Sequence, residues 1–307
     1  MQLQQLRYFL AVAETRHFTR AAEAAHVAQP SLSQQIRSLE RELGAELFHR
    51  TRGNIALTDA GDALLPLARR ILADTESARL AVQETVQLRR GRVRLGAPPS
   101  LCTSLVPDVL RVFRDRYPGV TLVVREGGSR DLVGWLAAGE LDLALIITPP
   151  SGEQAPAPAV TELLHEELVL VAAERRARRG KVRVTELRGR PLVMFREGYD
   201  VREATLAACR AAGFEPEFAV EGGEMDAVLG FVRAGIGPAV VPGMVAARSG
   251  LAVTAFAGPE LGRTIALAHG HEVPLTRAAE ALRETLLAHL RDAARDGELP
   301  PGTRLLL

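Results

Sequence analysis

The feature that most constrains the fold is a pair of short helical patterns between residues 18 and 44, separated by a break at His26-Val27. The second pattern opens at Pro30, a residue favoured at the first helical position because its missing N–H has no partner there. Four apolar residues then follow at steps of four, three and four: Leu32, Ile36, Leu39 and Leu43. This spacing places them in one stripe and predicts a helix that packs along one side only.

The residues outside this stripe are polar: Gln29, Ser31, Ser33, Gln34 and Arg37. Such side chains donate to and accept from base edges in a major groove. A helix with one packing face and one polar face is what the second helix of a helix-turn-helix requires. We therefore expect Gln29, Ser33, Gln34 and Arg37 at base edges, with Pro30 placed to touch a thymine methyl group.

A first helix over residues 3–15 and a hairpin over residues 49–57, turned at Gly53-Asn54, complete a winged helix-turn-helix. Phosphate contacts are expected from polar and basic residues around the reading helix and in the wing. These residues are Thr19, Ser31, Arg50 and Arg52. The two wing arginines also have the chemistry to enter a minor groove.

This end of the chain resembles the DNA-binding end of a LysR-type transcriptional regulator, and the resemblance continues more loosely over the rest. The residues that carry it are Leu6-Arg7-Tyr8-Phe9, Phe18-Thr19, Ala21-Ala22, Gln29-Pro30-Ser31-Leu32-Ser33, Ile36, Leu39-Glu40, Leu43-Gly44, Leu47-Phe48, Arg50 and Leu57-Thr58-x-Ala60-Gly61. One departure is Ala28, where the family usually has Ser or Thr. Losing that helix cap costs about 1 kcal/mol, and Ser31 with Gln34 has the spacing of an alternative capping box.

A long helix is expected after the hairpin, capped by Thr58 and with Asp59 in its first turn. Its heptad-spaced residues are Leu64, Ala68, Ile71, Thr75, Ala78 and Val82. This seam indicates pairing with another helix, or packing of the helix on its own domain. The resemblance implies dimerisation through it. Pro66 predicts a kink between Asp62 and Pro66.

Strand and helix patterns alternate from residue 91 onward, which predicts an α/β fold with a parallel sheet. The resemblance implies two lobes like those of periplasmic binding proteins, with a small molecule between them. The expected division is a head at 1–58, a linker helix at 59–90, an effector-binding domain at 91–292 and a loose tail at 293–307. Lobe I would comprise 91–162 and 263–292, and lobe II 163–262.

Effector contacts are expected where strands end and the following helices begin, because ligands of open α/β sheets usually bind in the crevice there. The candidates are Pro99, Ser100, Leu101, Thr103, Gly128, Ser129, Thr148, Phe195, Arg196, Tyr199, Arg202, Glu224 and Met225. Helix starts together with Arg196 or Arg202 would suit an anion such as a carboxylate. The alternative is that the hydroxyls only cap helices and the arginines are solvated.

Other chemistries have little support in the sequence. Two cysteines, Cys102 and Cys209, make no disulfide framework. Some members of the family sense oxidants through paired cysteines, so a redox-responsive regulator is an alternative, although cysteines in different lobes do not match that arrangement. His269 and His271 lack further metal ligands nearby. No nucleophile elbow, phosphate-cradling loop or paired acid motif is present, so we expect no enzyme and no cofactor. An enzymatic or solute-binding α/β body with an accessory DNA-binding head is a second alternative.

Bulk composition is compatible with this organisation. The chain has 307 residues and a net charge of +1, so DNA affinity must come from the placement of charges rather than from their sum. No stretch has the length of a signal-peptide core or a membrane span, and the expected compartment is a bacterial cytoplasm. The expected partners are double-stranded promoter DNA, a small-molecule effector, a second copy in a homodimer that assembles to a homotetramer, and RNA polymerase.

Overall fold

The structure is a computed structural model, and it describes residues 1–51, 54–84, 91–148, 158–173, 180–258, 261–270 and 274–307. For residues 50, 51, 54, 77 and 80–84 it describes the backbone alone. The chain divides into two compact units, Met1–Val86 with Ala137–Glu140, and Gln87–Leu136 with Leu141–Leu307. Within the described ranges, every helix is too short or too polar to cross a lipid bilayer.

The N-terminal unit begins with three helices and a hairpin. The helices are α1 (Leu3–Thr15), α2 (Phe18–Ala24) and α3 (Gln29–Leu43), and the hairpin pairs β1 (Phe48–Thr51) with β2 (Asn54–Leu57). His26 takes a left-handed conformation with φ of 55° in the break between α2 and α3. The head core contains Phe9 and Phe48 together with Leu32, Ile36 and Leu39 of α3. The helix-turn-helix and the hairpin strands are therefore confirmed, while turn residues 52 and 53 lie outside the described part.

Helix α4 (Asp59–Glu84) follows the hairpin and continues through Pro66. The hydroxyl of Thr58 accepts a hydrogen bond from the Gly61 N–H at 3.1 Å, which confirms Thr58 as the cap. Leu64, Ala68 and Ile71, the first half of the predicted seam, pack against the core of the head. These residues are therefore occupied within their own unit, whereas Leu67, in the same part of α4, is 57% exposed.

In the C-terminal unit, lobe I is built on three parallel strands in the order β4-β3-β5. These are β3 (Gly91–Ala97), β4 (Val120–Glu126) and β5 (Leu143–Thr148). The connecting helices are α5 (Pro99–Cys102), α6 (Val106–Arg116) and α7 (Ser129–Ala137). Buried apolar residues cover the sheet in two clusters, one of them centred on Phe113 and the other on Leu132.

The strand β6 (Ala159–Ala172) leads from lobe I into lobe II. Lobe II contains β7 (Val182–Arg183), a 3-10 turn (Val184–Leu187), β8 (Leu192–Met194), α8 (Asp200–Ala211), β9 (Phe218–Glu221), α9 (Met225–Arg233), β10 (Ala239–Pro242), α10 (Gly243–Ser249) and β11 (Ala252–Ala257). The chain returns to lobe I through β12 (Gly262–His269) and α11 (Arg277–Arg295).

The main sheet is mixed: the parallel strands β4-β3-β5, expected from the sequence, are joined by antiparallel strands. Strand β6 pairs antiparallel with β12 along its first part, and with β10 and β11 along residues 168–172. In lobe II, β11 pairs parallel with β7, and β8 and β9 form a separate two-stranded parallel sheet. The long strands β6 and β12 connect the two lobes.

The C-terminal tail is not loose as predicted. Residues Thr303–Leu305 form β13, which pairs antiparallel with residues 164–166 of β6. Glu167 N–H donates to the carbonyl of Gly302 at 2.8 Å, and Leu306 N–H donates to that of Leu163 at 2.9 Å. The tail therefore completes the sheet where β6 passes between the lobes.

Candidate functional site

Helix α3 has two opposite faces. Leu32, Ile36 and Leu39 are 0% exposed and lie in the head core. The predicted DNA-contacting residues of α3 lie outside this stripe: Ser33 is half-buried, and the others are exposed, namely Gln29, Pro30, Ser31, Gln34 and Arg37. Three residues of the stripe predicted from spacing thus pack, whereas Leu43, the fourth, is 43% exposed because it lies in the last turn of the helix. The predicted polar residues lie on the solvent side.

The solvent side of α3 borders an open concavity of about 940 Å³. Its lining residues are Gln29, Pro30, Ser33, Gln34, Arg37, Glu40, Arg41, Gly44, Ala45 and Glu46. Glu40 accepts a hydrogen bond from the Leu47 N–H at 3.1 Å, and Gly44 ends the helix with φ of 71°. These contacts fix the turn that forms one end of the concavity, so the polar residues lie on a rigid support.

The start of α3 has no side-chain cap. Ala28 occupies the cap position, and no side chain accepts from the first-turn amides, so the capping box predicted from Ser31 and Gln34 does not form. The free N–H groups of a helix start attract anions such as phosphate. Thr19 is exposed in the first turn of α2, and its N–H donates to His17 Nδ1 at 3.2 Å.

The two predicted wing contacts are less completely described. Arg50 lies in strand β1, but its side chain is outside the described part of the structure. Arg52 lies outside the described residues altogether. Their roles in DNA contact therefore stay predictions from the sequence.

In the C-terminal unit, the two lobes meet at a buried ion pair between the strands that connect them. Arg263 on β12 donates from Nε to Oε2 of Glu166 on β6 at 2.9 Å. The other carboxylate oxygen of Glu166 accepts from the Met244 N–H at 2.7 Å. Arg263 Nη1 donates to the hydroxyl of Ser100 at 3.0 Å. Glu166 is 0% exposed, so this buried pair connects α5 of lobe I to α10 of lobe II.

A second contact between the lobes lies at the start of α7. Ser129 donates to Oδ2 of Asp200 at 2.9 Å and accepts from the Ile147 N–H at 3.0 Å. Burial raises the pKa of the Asp200 carboxyl, although the hydrogen bond from Ser129 and the charges of Arg263 and Arg196 oppose the shift. The predicted residue Ser129 thus faces lobe II.

Tyr199 lies beside these contacts with its ring stacked on Phe195, at a centroid distance of 4.5 Å and an interplanar angle of 12°. The side chain is buried beside Ser100. Burial raises the pKa of Tyr199, the charge of Arg263 lowers it, the Glu224 carboxylate raises it, and hydrogen bonding to Ser100 lowers it. These influences place the hydroxyl within electrostatic reach of all three residues.

The arginines around the cleft are already paired with glutamates. Arg196 Nε donates to Glu224 Oε1 at 2.6 Å, and Arg202 Nη2 donates to Glu221 Oε1 at 2.6 Å. Arg202 also donates to the Phe195 carbonyl at 2.8 Å. The expectation that Arg196 or Arg202 would present a free charge to an anion is therefore not met by this arrangement.

The other predicted effector residues divide into core and cleft positions. Leu101, Phe195 and Met225 are buried in hydrophobic clusters. Thr103 donates its hydroxyl to backbone carbonyls of α5. Pro99 and Gly128 lie at strand–helix junctions, as expected, whereas Thr148 ends β5 and the next described element is the strand β6. The sequence analysis missed Glu166, Asp200 and Arg263, because their partners are distant in the chain and no local pattern marks them.

The cysteines are poorly placed for redox chemistry. Cys102 is half-buried, and burial together with the nearby Glu126 carboxylate raises its pKa to about 12. Cys209 is 0% exposed in the core of lobe II, and burial raises its pKa as well. Because the thiolate is the reactive form, a raised pKa lowers the fraction of each cysteine that is thiolate at neutral pH.

No grouping of three metal-ligating side chains occurs within the described residues. His269 Nδ1 lies 3.0 Å from the carbonyl of Gly270, and His271 is outside the described residues.

Comparison with known proteins agrees with both parts of this geometry. Residues 3–62 match the model for the bacterial regulatory helix-turn-helix protein, lysR family, and residues 87–291 match the LysR substrate binding domain. The transcriptional dual regulator GltC of Bacillus subtilis (strain 168) is 33% identical over 245 residues, which cover 79% of this chain and 81% of GltC.

Two further relatives cover nearly the whole chain. The hydrogen peroxide-inducible genes activator of Pectobacterium carotovorum subsp. carotovorum is 29% identical over 297 residues, covering 95% of this chain and 97% of that protein. The crystal structure of full-length CbnR complexed with its target DNA is similar with a TM-score of 0.69 and 25% identity, covering 95% and 100% of the two chains. The chain therefore belongs to the LysR family, and it is a DNA-binding transcriptional regulator with a two-lobed effector-binding domain.

Proposed function

We propose that the exposed face of α3 reads base edges in a major groove through Gln29, Ser33, Gln34 and Arg37, with Pro30 against a thymine methyl group. Arginine pairs with guanine and glutamine with adenine, each good pair giving about 1–3 kcal/mol of discrimination. Phosphates are held by Thr19, Ser31, Arg50 and Arg52. The observation that carries this proposal is the opposition on α3 between a fully buried stripe and an exposed polar face.

Promoter binding by this face is tested with the full-length protein and the DNA upstream of its own gene. Affinity is measured against a shuffled fragment between 50 and 200 mM salt. The proposal requires preference for the native fragment and a linear fall of log affinity with log salt concentration, since bound phosphates release counterions. Equal affinity for the two fragments would contradict it.

We further propose that the protein acts as a homodimer, and then as a homotetramer, through the part of α4 that the head leaves free. Leu67 supports this because it is a large apolar side chain with 57% exposure. Two heads would contact major-groove faces about 34 Å apart. A small molecule in the cleft between the lobes would favour one arrangement of the heads, and so shift promoter occupancy in the cytoplasm and contact with RNA polymerase.

The proposed effector site is narrower than the set predicted from sequence. It consists of Ser100, Ser129, Arg196, Tyr199 and Glu224, together with the newly found Asp200 and Arg263. Leu101, Phe195, Arg202 and Met225 support these side chains from behind, because they are buried or internally bonded.

The hydrogen peroxide-inducible relative fits a redox-responsive alternative as well as the main proposal, but the cysteines of this chain do not favour it. A cysteine-based switch needs accessible thiolates, and both thiols here have raised pKa values. Because the relatives are transcriptional regulators, we propose that the α/β body binds its small molecule without converting it.

A further inference from the structure

The C-terminal segment, residues 299–307, lies where the chain crosses between the two lobes. Its strand β13 pairs antiparallel with residues 164–166 of β6. Two of its apolar side chains, Leu299 and Leu305, pack against the core of lobe I. The segment is therefore anchored on lobe I by both backbone pairing and apolar contact.

The turn that precedes β13 reaches lobe II. The Thr303 N–H donates to the Pro300 carbonyl at 3.1 Å, which closes a β-turn with Pro301 and Gly302 at its centre. Gly302 has φ of 77°, and a proline followed by a residue with positive φ is the combination that a type II turn favours. The Pro301 carbonyl oxygen lies 3.4 Å from the position that a Cβ atom on Gly243 would take, at the start of α10. A well-defined turn of the tail thus lies against a helix of lobe II.

The tail binds β6 at the same two residues that hold the lobes together. Glu166 pairs with β13 through its backbone, and its carboxylate accepts from Arg263 and from the Met244 N–H. Glu167 donates its N–H to the Gly302 carbonyl at 2.8 Å. From the next residue onward, β6 pairs with β10 of lobe II instead of β12 of lobe I. The tail therefore holds β6 at the point where its partners change from one lobe to the other.

We infer that residues 299–307 act as a C-terminal strap that fixes the angle between the two lobes. While β13 is paired, β6 cannot bend at the crossing without breaking backbone hydrogen bonds, and the turn supports the start of α10. Release of the strap removes these bonds, and local opening is easier where fewer backbone hydrogen bonds and buried contacts resist it. The consequence for promoter occupancy rests on the proposed function. The strap itself does not, because its contacts all lie within the C-terminal unit.

The first test compares two variants of the full-length protein at Arg304. This residue is exposed and lies opposite His165 in the middle of the pairing. Leu306 N–H donates to β6, and alternate N–H groups of a strand point to the same side, so the Arg304 N–H points to β6 as well. Arg304→Pro removes this donor from the middle of the pairing, where proline is poorly tolerated. Arg304→Ala removes the same side chain, keeps the N–H and is the matched control.

The readout is hydrogen exchange, followed by mass spectrometry, of peptides that contain two reporter amides. The Met244 N–H donates to Glu166 at the crossing. The Ile147 N–H donates to Ser129, which binds Asp200 across the cleft. The first amide reports on the crossing itself, and the second reports on whether the lobes stay together. Amides of α1–α3 show whether the N-terminal unit remains folded.

We expect Arg304→Pro to raise the exchange rates of both reporters by about five- to tenfold, the effect of one lost hydrogen bond. Arg304→Ala should exchange as the wild type. Faster exchange confined to residues 299–307 would show that the tail covers β6 without holding the lobes, and would overturn the inference. Equal acceleration in the two variants would overturn it too, because the effect would then belong to the side chain.

The second test keeps the pairing, changes the turn, and decides the matter where Arg304→Pro does not fold. Gly302→Ala would place a Cβ atom 2.9 Å from Oε2 of Glu167. Gly297→Ala is the matched control, because Gly297 also has positive φ, at 70°, but a Cβ there meets no described atom within 4 Å. Both changes strain a left-handed backbone, so their difference isolates the contact with Glu167. We expect the Met244 amide to exchange faster in Gly302→Ala, and equal rates in the two variants would contradict the inference.

Neither test contains DNA, so the strap and the proposed function fail separately. Loss of promoter selectivity would contradict the proposed function and leave the strap standing. Unchanged reporter exchange would remove the strap and leave promoter recognition as proposed.

Discussion

Ser129 donates a hydrogen bond to Asp200 across 2.9 Å, and the two residues stand at the starts of helices in different lobes. Ser129 is itself fixed by the Ile147 N–H of strand β5. A backbone amide of lobe I is therefore connected through one hydroxyl to a carboxylate of lobe II. Any movement of the lobes apart breaks this link, so it reports directly on whether the cleft is closed.

The Asp200 carboxyl predicts a pH-dependent contribution to stability. Burial raises its pKa above the usual value of 3.8, so the folded protein binds this proton more tightly than the unfolded chain. Below pH 3.8 the carboxyl is protonated in both the folded and the unfolded state, so it does not change the free energy of unfolding. As pH rises from there through the folded-state pKa, its contribution to stability is lost. Asp200→Asn should therefore gain stability relative to the wild type across this window.

The measurement is the free energy of unfolding by urea at pH values from about 4 to 7, taken as the difference between Asp200→Asn and the wild type. Subtraction removes the titration of the other carboxyl groups. A flat difference would contradict the assigned environment.

Position 61, in the N-terminal unit, has no room for a side chain larger than that of glycine. A Cβ atom there would lie 2.3 Å from the carbonyl oxygen of Leu47 and 2.8 Å from a methyl group of Leu57. Gly61→Ala should destabilise the N-terminal unit by about 1–3 kcal/mol, as overpacking does. Gly134→Ala is the matched control, since a Cβ there meets no described atom within 4 Å. In a helix this change should stabilise by about 0.5–1 kcal/mol. Calorimetric unfolding checks both, and equal effects would refute the contact.

The two cysteines should be slow to react. Because the pKa of Cys102 is about 12 and that of Cys209 is also raised, iodoacetamide should modify the native protein slowly at pH 7.5. The urea-unfolded protein, with ordinary thiols, should react rapidly under the same conditions and serves as the control. Replacing both cysteines by serine should leave promoter binding in the presence of peroxide unchanged. Rapid native labelling, or a lost response, would restore the redox alternative.

Much of the head could be predicted from the sequence because its determinants are local. The stripe of Leu32, Ile36 and Leu39 follows from helical spacing alone, and Thr58 caps the helix that begins one residue later. Neither feature depends on residues far away in the chain. The polar face of α3 can then be predicted as well, because it consists of the helix residues that are not part of the buried stripe.

From the sequence, the cleft could be placed at the strand–helix junctions, but its chemistry could not be predicted. That chemistry depends on pairs of residues that are distant in the chain. Arg263 and Glu166 are 97 residues apart, and Ser129 and Asp200 are 71 residues apart. A sequence shows an arginine but not the carboxylate that neutralises it, which is why an anionic effector was expected. The same applies to β13, whose pairing with β6 links residues about 140 positions apart in register.

The most direct test of the central claim, that the exposed face of α3 reads promoter bases, is a binding measurement on three variants. Fluorescence anisotropy gives the affinity of Gln34→Ala, Arg37→Ala and the control Arg291→Ala for native and shuffled upstream DNA. Arg291 is an exposed arginine on α11. The account predicts that the two α3 variants each lose about 1–3 kcal/mol on native DNA and discriminate less between the fragments, while Arg291→Ala binds as the wild type. Unchanged affinity and selectivity in both α3 variants would contradict it.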